Sequence, residues 1–223
     1  VISTNTLTPE GEGGNDIAYD EATNTLQVVV KEDTKVEEIA SLVNSGASIA
    51  EKIIITLEEP LDLTASEEGS APAIAKIGTA EHPFTGTFEG QGNVIRLADD
   101  KAEGETEVKA SAETALFGNI AESGQVKNIV MENANVNATE ESKVTLGEDV
   151  FYPILAEENN GTIKNCVVTG AVVYDENVDA SKAKGFIVAV NNGTMEHVVG
   201  YFTNQKEEAV AGNKRNIVIH YSY

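Results

Sequence analysis

Apolar residues along this chain come in short runs separated by Gly, Asn and Asp. Thr25-Leu26-Gln27-Val28-Val29-Val30 is a β-type run with no breaker inside it. Thr34-Lys35-Val36-Glu37 then has the form of a capping box, in which hydroxyl and carboxylate satisfy each other's exposed backbone N–H groups. Val36, Ile39, Ala40, Leu42 and Val43 fall mostly on one helical face, and Asn44-Ser45-Gly46 ends that helix. From Lys52 onward the helical period disappears. Ile53-Ile54-Ile55, Val94-Ile95, Ile129-Val130, Val167-Val168, Ile187-Val188, Val198-Val199 and Ile217-Val218-Ile219 follow one another between turn residues. This predicts a helix-bearing N-terminal segment over residues 1–51 and an all-β body over residues 52–223.

The body repeats. Asn159-Asn160-Gly161-Thr162-Ile163 recurs as Asn191-Asn192-Gly193-Thr194-Met195, 32 residues later, and weaker copies are anchored at Gly92 and Gly124. With these glycines in register, Val94, Val126, Ile163 and Met195 form one apolar column. Arg96, Asn128, Asn165 and His197 form a polar one, and Leu97, Ile129, Cys166 and Val198 a second apolar one. Before the last three glycines stand Ala115-Leu116-Phe117-Gly118, Pro153-Ile154-Leu155-Ala156 and Gly185-Phe186-Ile187-Val188-Ala189. A unit this short cannot close its own core, so copies must stack. Each unit reads strand, Gly-containing turn, strand, bend, strand, with amides that can hydrogen-bond from one bend to the next. That is the coil of a single-stranded parallel β-helix. A propeller wants longer, more regular repeats, and an immunoglobulin-like sandwich shows no column register. The helix is expected to lie across the open first coil, with Val36, Ile39 and Val43 facing inward.

These residues also carry a resemblance. Ile77-Gly78-Thr79-Ala80-Glu81-His82-Pro83-Phe84-Thr85-Gly86-Thr87-Phe88-Glu89-Gly90-Gln91-Gly92-Asn93-Val94-Ile95 resembles the opening turn of bacterial surface proteins with GLUG-type repeats. Ala115-Leu116-Phe117-Gly118 with Val126-Lys127-Asn128-Ile129, and Glu157-Glu158-Asn159-Asn160-Gly161-Thr162-Ile163-Lys164-Asn165-Cys166, are similar to the repeats themselves, and Phe186 to Val198 is a looser copy with His197 at the Asn position. The resemblance covers about Ile53 to Val199. It implies a right-handed parallel β-helix on a secreted or cell-surface bacterial protein of adhesin-like character, with structural rather than catalytic glycines and asparagines.

Charge narrows the partners. There are 15 Lys+Arg against 37 Asp+Glu, a formal net charge of −22. Such a surface repels phosphate backbones and anionic lipid, so neither nucleic acid nor a membrane surface is an expected partner. No stretch is long and apolar enough to span a bilayer. Aromatics are 5% of the chain and Trp is absent, so the core is expected to consist of Val, Ile, Leu and Ala. The single cysteine, Cys166, excludes an internal disulfide and reads as a small buried hydrophobe. The chain starts at Val1 without an initiator Met, and the run from Ser3 to Gly14 reads as the trimmed, flexible start of a mature or engineered chain.

Candidate chemistry is sparse. His82, His197 and His220 are widely separated without metal-ligand spacing, and each reads as structural. The acidic pairs Asp99-Asp100 and Asp175-Glu176 at strand ends could in principle serve as the acid and base of a polysaccharide hydrolase. The Gly-His-Gly and Arg-x-Lys patterns of pectin-degrading β-helices are missing, and Arg96 and Arg215 are the only arginines. The acidic loops could take up Ca²⁺ weakly. Asn137-Ala138-Thr139, Asn160-Gly161-Thr162 and Asn192-Gly193-Thr194 match glycosylation sequons, the last two of them explained by turn chemistry. No catalytic, cofactor-binding or metal residue is assigned, and no cofactor is expected.

Two readings follow. The first is a non-enzymatic extracellular or cell-surface module that binds or displays through loops, its partner a host or neighbouring-cell protein or glycan. The alternative is a lyase- or hydrolase-like carbohydrate-active β-helix. For the first, four polar insertions are the expected contact surface: Asp99 to Thr114, Asn137 to Asp149, Asp175 to Lys184, and Asn204 to Arg215. Their starts track the repeat, so they should leave the same edge of successive coils.

Overall fold

In a computed structural model of the chain the described residues are 16–31, 36–46, 50–63, 74–97, 112, 114–174, 178–179, 185–206 and 217–222. The elements in chain order begin with β1 (Asp16–Asp20), β2 (Thr25–Val30), α1 (Val36–Asn44), β3 (Lys52–Leu57), β4 (Leu61–Asp62), β5 (Thr87–Glu89) and β6 (Val94–Arg96). They continue with β7 (Phe117–Ile120), β8 (Gln125–Lys127), β9 (Val130–Glu132), β10 (Val136–Asn137) and β11 (Val144–Leu146). The long strands β12 (Asp149–Asn159), β13 (Thr162–Tyr174), β14 (Gly185–Asn191) and β15 (Thr194–Lys206) come next, and β16 (Ile217–Ser222) is last.

The chain forms a parallel β-helix of about four turns. The complete turns contribute one strand segment to each successive face, and pairing is with the equivalent segment one turn away. On one face β2, β3, β5, β8, β13 and β15 pair in parallel. Past a bend, β4, β6, β9 and the middle of β13 form the second face. β7, β12 and β14 form the third. Val, Ile and Thr dominate these strands because branched side chains pack well on a pleated, half-buried surface.

Alternation sends every second side chain inward, and the inward residues stack in rows. Val28, Ile55, Phe88, Val126, Ile163 and Met195 make one continuous row. Ile77, Phe117, Ala156 and Val188 make another on the third face. The expected stacking of Val126, Ile163 and Met195 is therefore present. The core is less purely aliphatic than composition suggested, since Phe84, Phe88 and Phe117 are buried together with ring centroids 5.5 Å apart in two contacts.

The first copy of the repeat sits in a different register from the expected one. Phe88, not Val94, pairs with Val126, and Val94 pairs with Val130. The column glycine is therefore Gly86, followed by Gly124, Gly161 and Gly193. The reason is steric. A Cβ on Gly86, Gly124, Gly161 or Gly193 would lie 2.6, 2.4, 2.2 and 2.2 Å from a backbone oxygen of the preceding turn, whereas a Cβ on Gly92 would meet nothing within 4 Å. Gly92 serves a left-handed turn, at φ +78°, rather than a close approach. Arg96 and Leu97 accordingly leave the columns of Asn128 and Ile129.

The N-terminal part also differs. β2 pairs in parallel with β3, so the ladder starts upstream of Lys52. α1 connects these two turns and buries Val36, Ile39 and Ala40, with Val43 packed partly against the core. Thr34 lies outside the described residues. The helix stands where the first turn would otherwise place a third-face strand. The Asn44 side-chain amide donates to the Lys76 carbonyl at 2.9 Å and accepts from the Gly78 N–H at 2.8 Å. Those two groups flank Ile77, whose own N–H and C=O bond to Leu116 and Gly118 on the other side. One side chain thus reproduces the pair of bonds a neighbouring parallel strand would make, and satisfies part of an otherwise open edge. β1 covers β2 and β16 covers β15, both antiparallel.

Cys166 is fully buried, and burial pushes its thiol pKa up to about 11. In the folded protein at pH 8 it should ignore a disulfide reagent such as dithionitrobenzoate, then react fully once urea unfolds the chain. A stoichiometric reaction within seconds in the native state would contradict this burial.

Candidate functional site

The described strands bring the returning end of the first polar insertion and the starts of the other three to one corner. Ala112, at the end of the first, bridges to Val136; Val136 pairs with Val172, and Val172 with Asn204. The second insertion therefore leaves just past Val136, the third past Val172 and the fourth at Asn204, one above another. Within the second, Thr139 and Ser142 exchange backbone-to-hydroxyl bonds, the Ser142 hydroxyl also donates to the Asn137 carbonyl, and Lys143 pairs with Glu140. β11 and the start of β12 then form an antiparallel hairpin with Leu146 opposite Asp149, so the turn is Gly147-Glu148. Gly147 takes φ +64°, as a two-residue hairpin turn requires. Leu146, Glu148 and Asp149 are exposed at the tip. Phe151 at the base packs on Phe186 at 4.8 Å.

The bends carry a polar ladder. Asn128, Asn165 and His197 adopt left-handed φ values of 56°, 53° and 52°. Asn is among the few residues that tolerate this region. The Asn165 amide donates to Asn128 Oδ1 at 3.0 Å, and the Asn128 amide donates to Glu89 Oε1 at 2.8 Å. His197 Nδ1 lies 3.2 Å from Asn165 Oδ1, so that nitrogen carries the proton. The register difference explains why Glu89, and not Arg96, stands at the foot of this ladder. Burial alone would raise the Glu89 pKa, but bonds from Asn128 and the Gln91 N–H, with the Lys127 charge, hold it below its ordinary value. Replacing Asn165 with alanine removes two rungs of the ladder and forces a Cβ-bearing residue without a polar side chain into the left-handed region. Together these should cost about 2 kcal/mol, lowering Tm by roughly 4–8 °C. Asn165→Gly should recover the backbone part only. Equal melting of parent and both variants would show that the ladder contributes nothing.

A second amide group lies at the glycine turns. The Glu158 carboxylate accepts from the Asn119, Asn160 and Asn192 amides at 3.0, 3.1 and 3.2 Å, and the buried Asn159 amide donates to Asn191 Oδ1 at 2.8 Å. Outward charges pair along the first face: Lys127 with Glu89 and Lys164 with Glu196. These contacts build the coil. Asn160 and Asn192, both in sequon-like triplets, stack on each other in this way, as turn chemistry implied.

The remaining candidates are not brought together. His82 closes a turn in which its N–H bonds the Thr79 hydroxyl, far in register from His197; the His220 side chain, Asp99-Asp100 and Asp175-Glu176 lie outside the described residues. Among the described residues no group of three His, Cys, Asp or Glu is arranged to hold a metal, and no helix is long and apolar enough to cross a membrane.

The strands also present an apolar track that the repeat columns did not reveal. Val94, Val130, Val167 and Val199 stand in register on the outside of the second face. Val167 is 41% exposed, Val199 38% and the neighbouring Tyr201 39%. The signal was in the doublets Val94-Ile95, Ile129-Val130, Val167-Val168 and Val198-Val199. In a one-sided strand only one member of each can point inward.

Comparison with known proteins gives one partial likeness to report. Over 106 residues, 47% of this chain, it is 30% identical to halomucin from Haloquadratum walsbyi, and the matched stretch is 1% of that protein's length. No family model and no solved structure matches.

Proposed function

We propose that the chain is a non-enzymatic module of an extracellular or cell-surface protein, in which a rigid solenoid holds binding loops along one corner. The observation that carries this reading is the register Ala112–Val136–Val172–Asn204, which stacks the returning end of the first insertion and the starts of the other three on successive turns. A filled coil fixes the roots while the loops stay free to vary, the usual division of labour in repeat scaffolds. The resemblance to GLUG-type repeats supports an adhesin-like role, and the partial likeness to halomucin is compatible with a surface location. Its acidic surface favours a neutral or cationic partner over an anionic one.

The test is to shorten residues 99–111, 139–149, 176–183 and 207–215 singly and together to Gly-Asn turns. Binding to immobilised matrix proteins, mucin and intact cells would be measured beside thermal melting. Loss of binding with melting retained is expected. Variants that fold and bind like the parent would reduce the module to a spacer. Release of reducing ends or unsaturated products from pectin or neutral glycans would instead favour the carbohydrate-active alternative.

A further inference from the structure

The second face of the solenoid carries a surface that the loop corner does not explain. Each of three successive turns presents three outward residues in order across it: Asn128, Val130 and Glu132; Asn165, Val167 and Thr169; His197, Val199 and Tyr201. Val94 and Arg96 extend the middle and outer rows by one turn. The result is a line of valines along the solenoid axis, flanked on one side by the amide and imidazole ladder and on the other by the charged pair Arg96 and Glu132 followed by the hydroxyls of Thr169 and Tyr201. The carboxylate among these positions, Glu132, is paired with Arg96 at 3.4 Å. A strip without net charge on a chain of net charge −22 is the place where an uncharged ligand meets least desolvation cost.

Size selects the kind of ligand. At about 4.8 Å per turn and 3.3 Å per residue, the strip from β6 to β15, four turns by five residues, spans roughly 14 by 13 Å, on the order of 200 Å². A stable protein interface buries about 800 Å² on each partner, so neither a second copy nor a folded partner is held by this strip alone. A second copy would also bring a further −22 of charge against it. A linear neutral polysaccharide fits both constraints. Its C–H faces can lie on the valines and on Tyr201, its hydroxyls can bond to Asn165, His197, Thr169 and the Tyr201 hydroxyl, and its chain direction can follow the axis. Anionic polymers are repelled by the rest of the surface.

We infer that the valine track of Val94, Val130, Val167 and Val199, bordered by Asn165, His197 and Tyr201, is a binding site for a linear neutral polysaccharide. This rests on the proposal of a surface binding module and names one ligand class for it. The experiment is native affinity electrophoresis of the whole chain through gels holding hydroxyethylcellulose, galactomannan or xyloglucan, with polygalacturonate and alginate gels as anionic comparisons. Retardation by at least one neutral polymer and by neither anionic one is expected. A Val167→Ser, Val199→Ser, Tyr201→Ala variant should weaken it at least tenfold, because only exposed side chains change and melting should stay within a few degrees. Tyr201→Phe should retain most of the binding, which separates packing from folding damage. Absence of retardation in all three neutral gels would overturn the site, as would retardation that survives the triple variant. Concentration-dependent dimers in sedimentation, dissolved by the triple variant, would overturn it in favour of a second copy. Shortening the four insertions should leave retardation unchanged, so failure of the track and failure of the loop corner are separately visible.

Discussion

Replacing Gly161 with alanine should destabilise the protein more than any surface change considered above, by about 3 kcal/mol or more, with Tm lower by roughly 6–12 °C. The added Cβ would sit 2.2 Å from the Gly124 carbonyl oxygen and 2.4 Å from that of Ala121. Both are backbone atoms in the turn below, and Gly124 O also accepts from the Thr162 N–H at 3.0 Å. Relief therefore requires pulling two turns apart, which breaks ladder bonds on either side of the glycine. Gly92→Ala is the matched control. Its Cβ meets nothing within 4 Å, so it bears only the cost of a left-handed backbone at φ +78°, about 1 kcal/mol. Urea unfolding of the two variants should separate them clearly. Near-equal midpoints would mean that turn spacing at Gly161 is loose and that the glycine column is set by backbone conformation.

That contrast shows how far the sequence could be read. The three later copies were legible because each keeps glycine, apolar and polar bend positions at a common offset, with His197 in place of Asn in the last, and Val126, Ile163 and Met195 do stack. The first copy was misplaced because two glycines, Gly86 and Gly92, stand six residues apart with different jobs. Spacing alone cannot tell a glycine needed for close approach from one needed for a positive φ. α1 was legible from its periodicity, but its place was not. Asn44 reads as a helix terminator, and only its bonds to Lys76 and Gly78 show it standing in for a strand. The common corner of the last three insertions was legible from their offsets, while Asp99, at the start of the first, lies outside the described residues. The valine track is not legible from the repeat columns, because these hold only the inward member of each doublet such as Ile129 or Val198, while alternation turns the other member outward.

The melting temperature should rise steeply with salt, by about 10 °C or more between 0.05 M and 1 M NaCl. The formal charge of −22 is the cause. Treated as spread over a compact body of radius about 20 Å, that charge repels itself by roughly 10 kcal/mol more than in the expanded chain at 0.1 M salt. At 1 M the screening length falls to about 3 Å and the difference drops to less than half. The described ion pairs offset little of it, because Lys76, Lys127, Lys143, Lys164 and Arg96 engage Glu157, Glu89, Glu140, Glu196 and Glu132, a small share of the carboxylates, and such solvent-screened pairs contribute little to stability. Screening weakens those pairs too, but by far less than it relieves the bulk repulsion, so the sign is set by the excess of carboxylates. The cation distinguishes two origins. If screening is the whole effect, CaCl₂ and NaCl at matched ionic strength should raise Tm to a similar degree. A rise that saturates with a few millimolar CaCl₂ would instead assign it to Ca²⁺ held by acidic loops. A Tm that stays level from 0.05 M to 1 M NaCl would mean that the excess charge is spaced widely enough along the solenoid to cost the fold little.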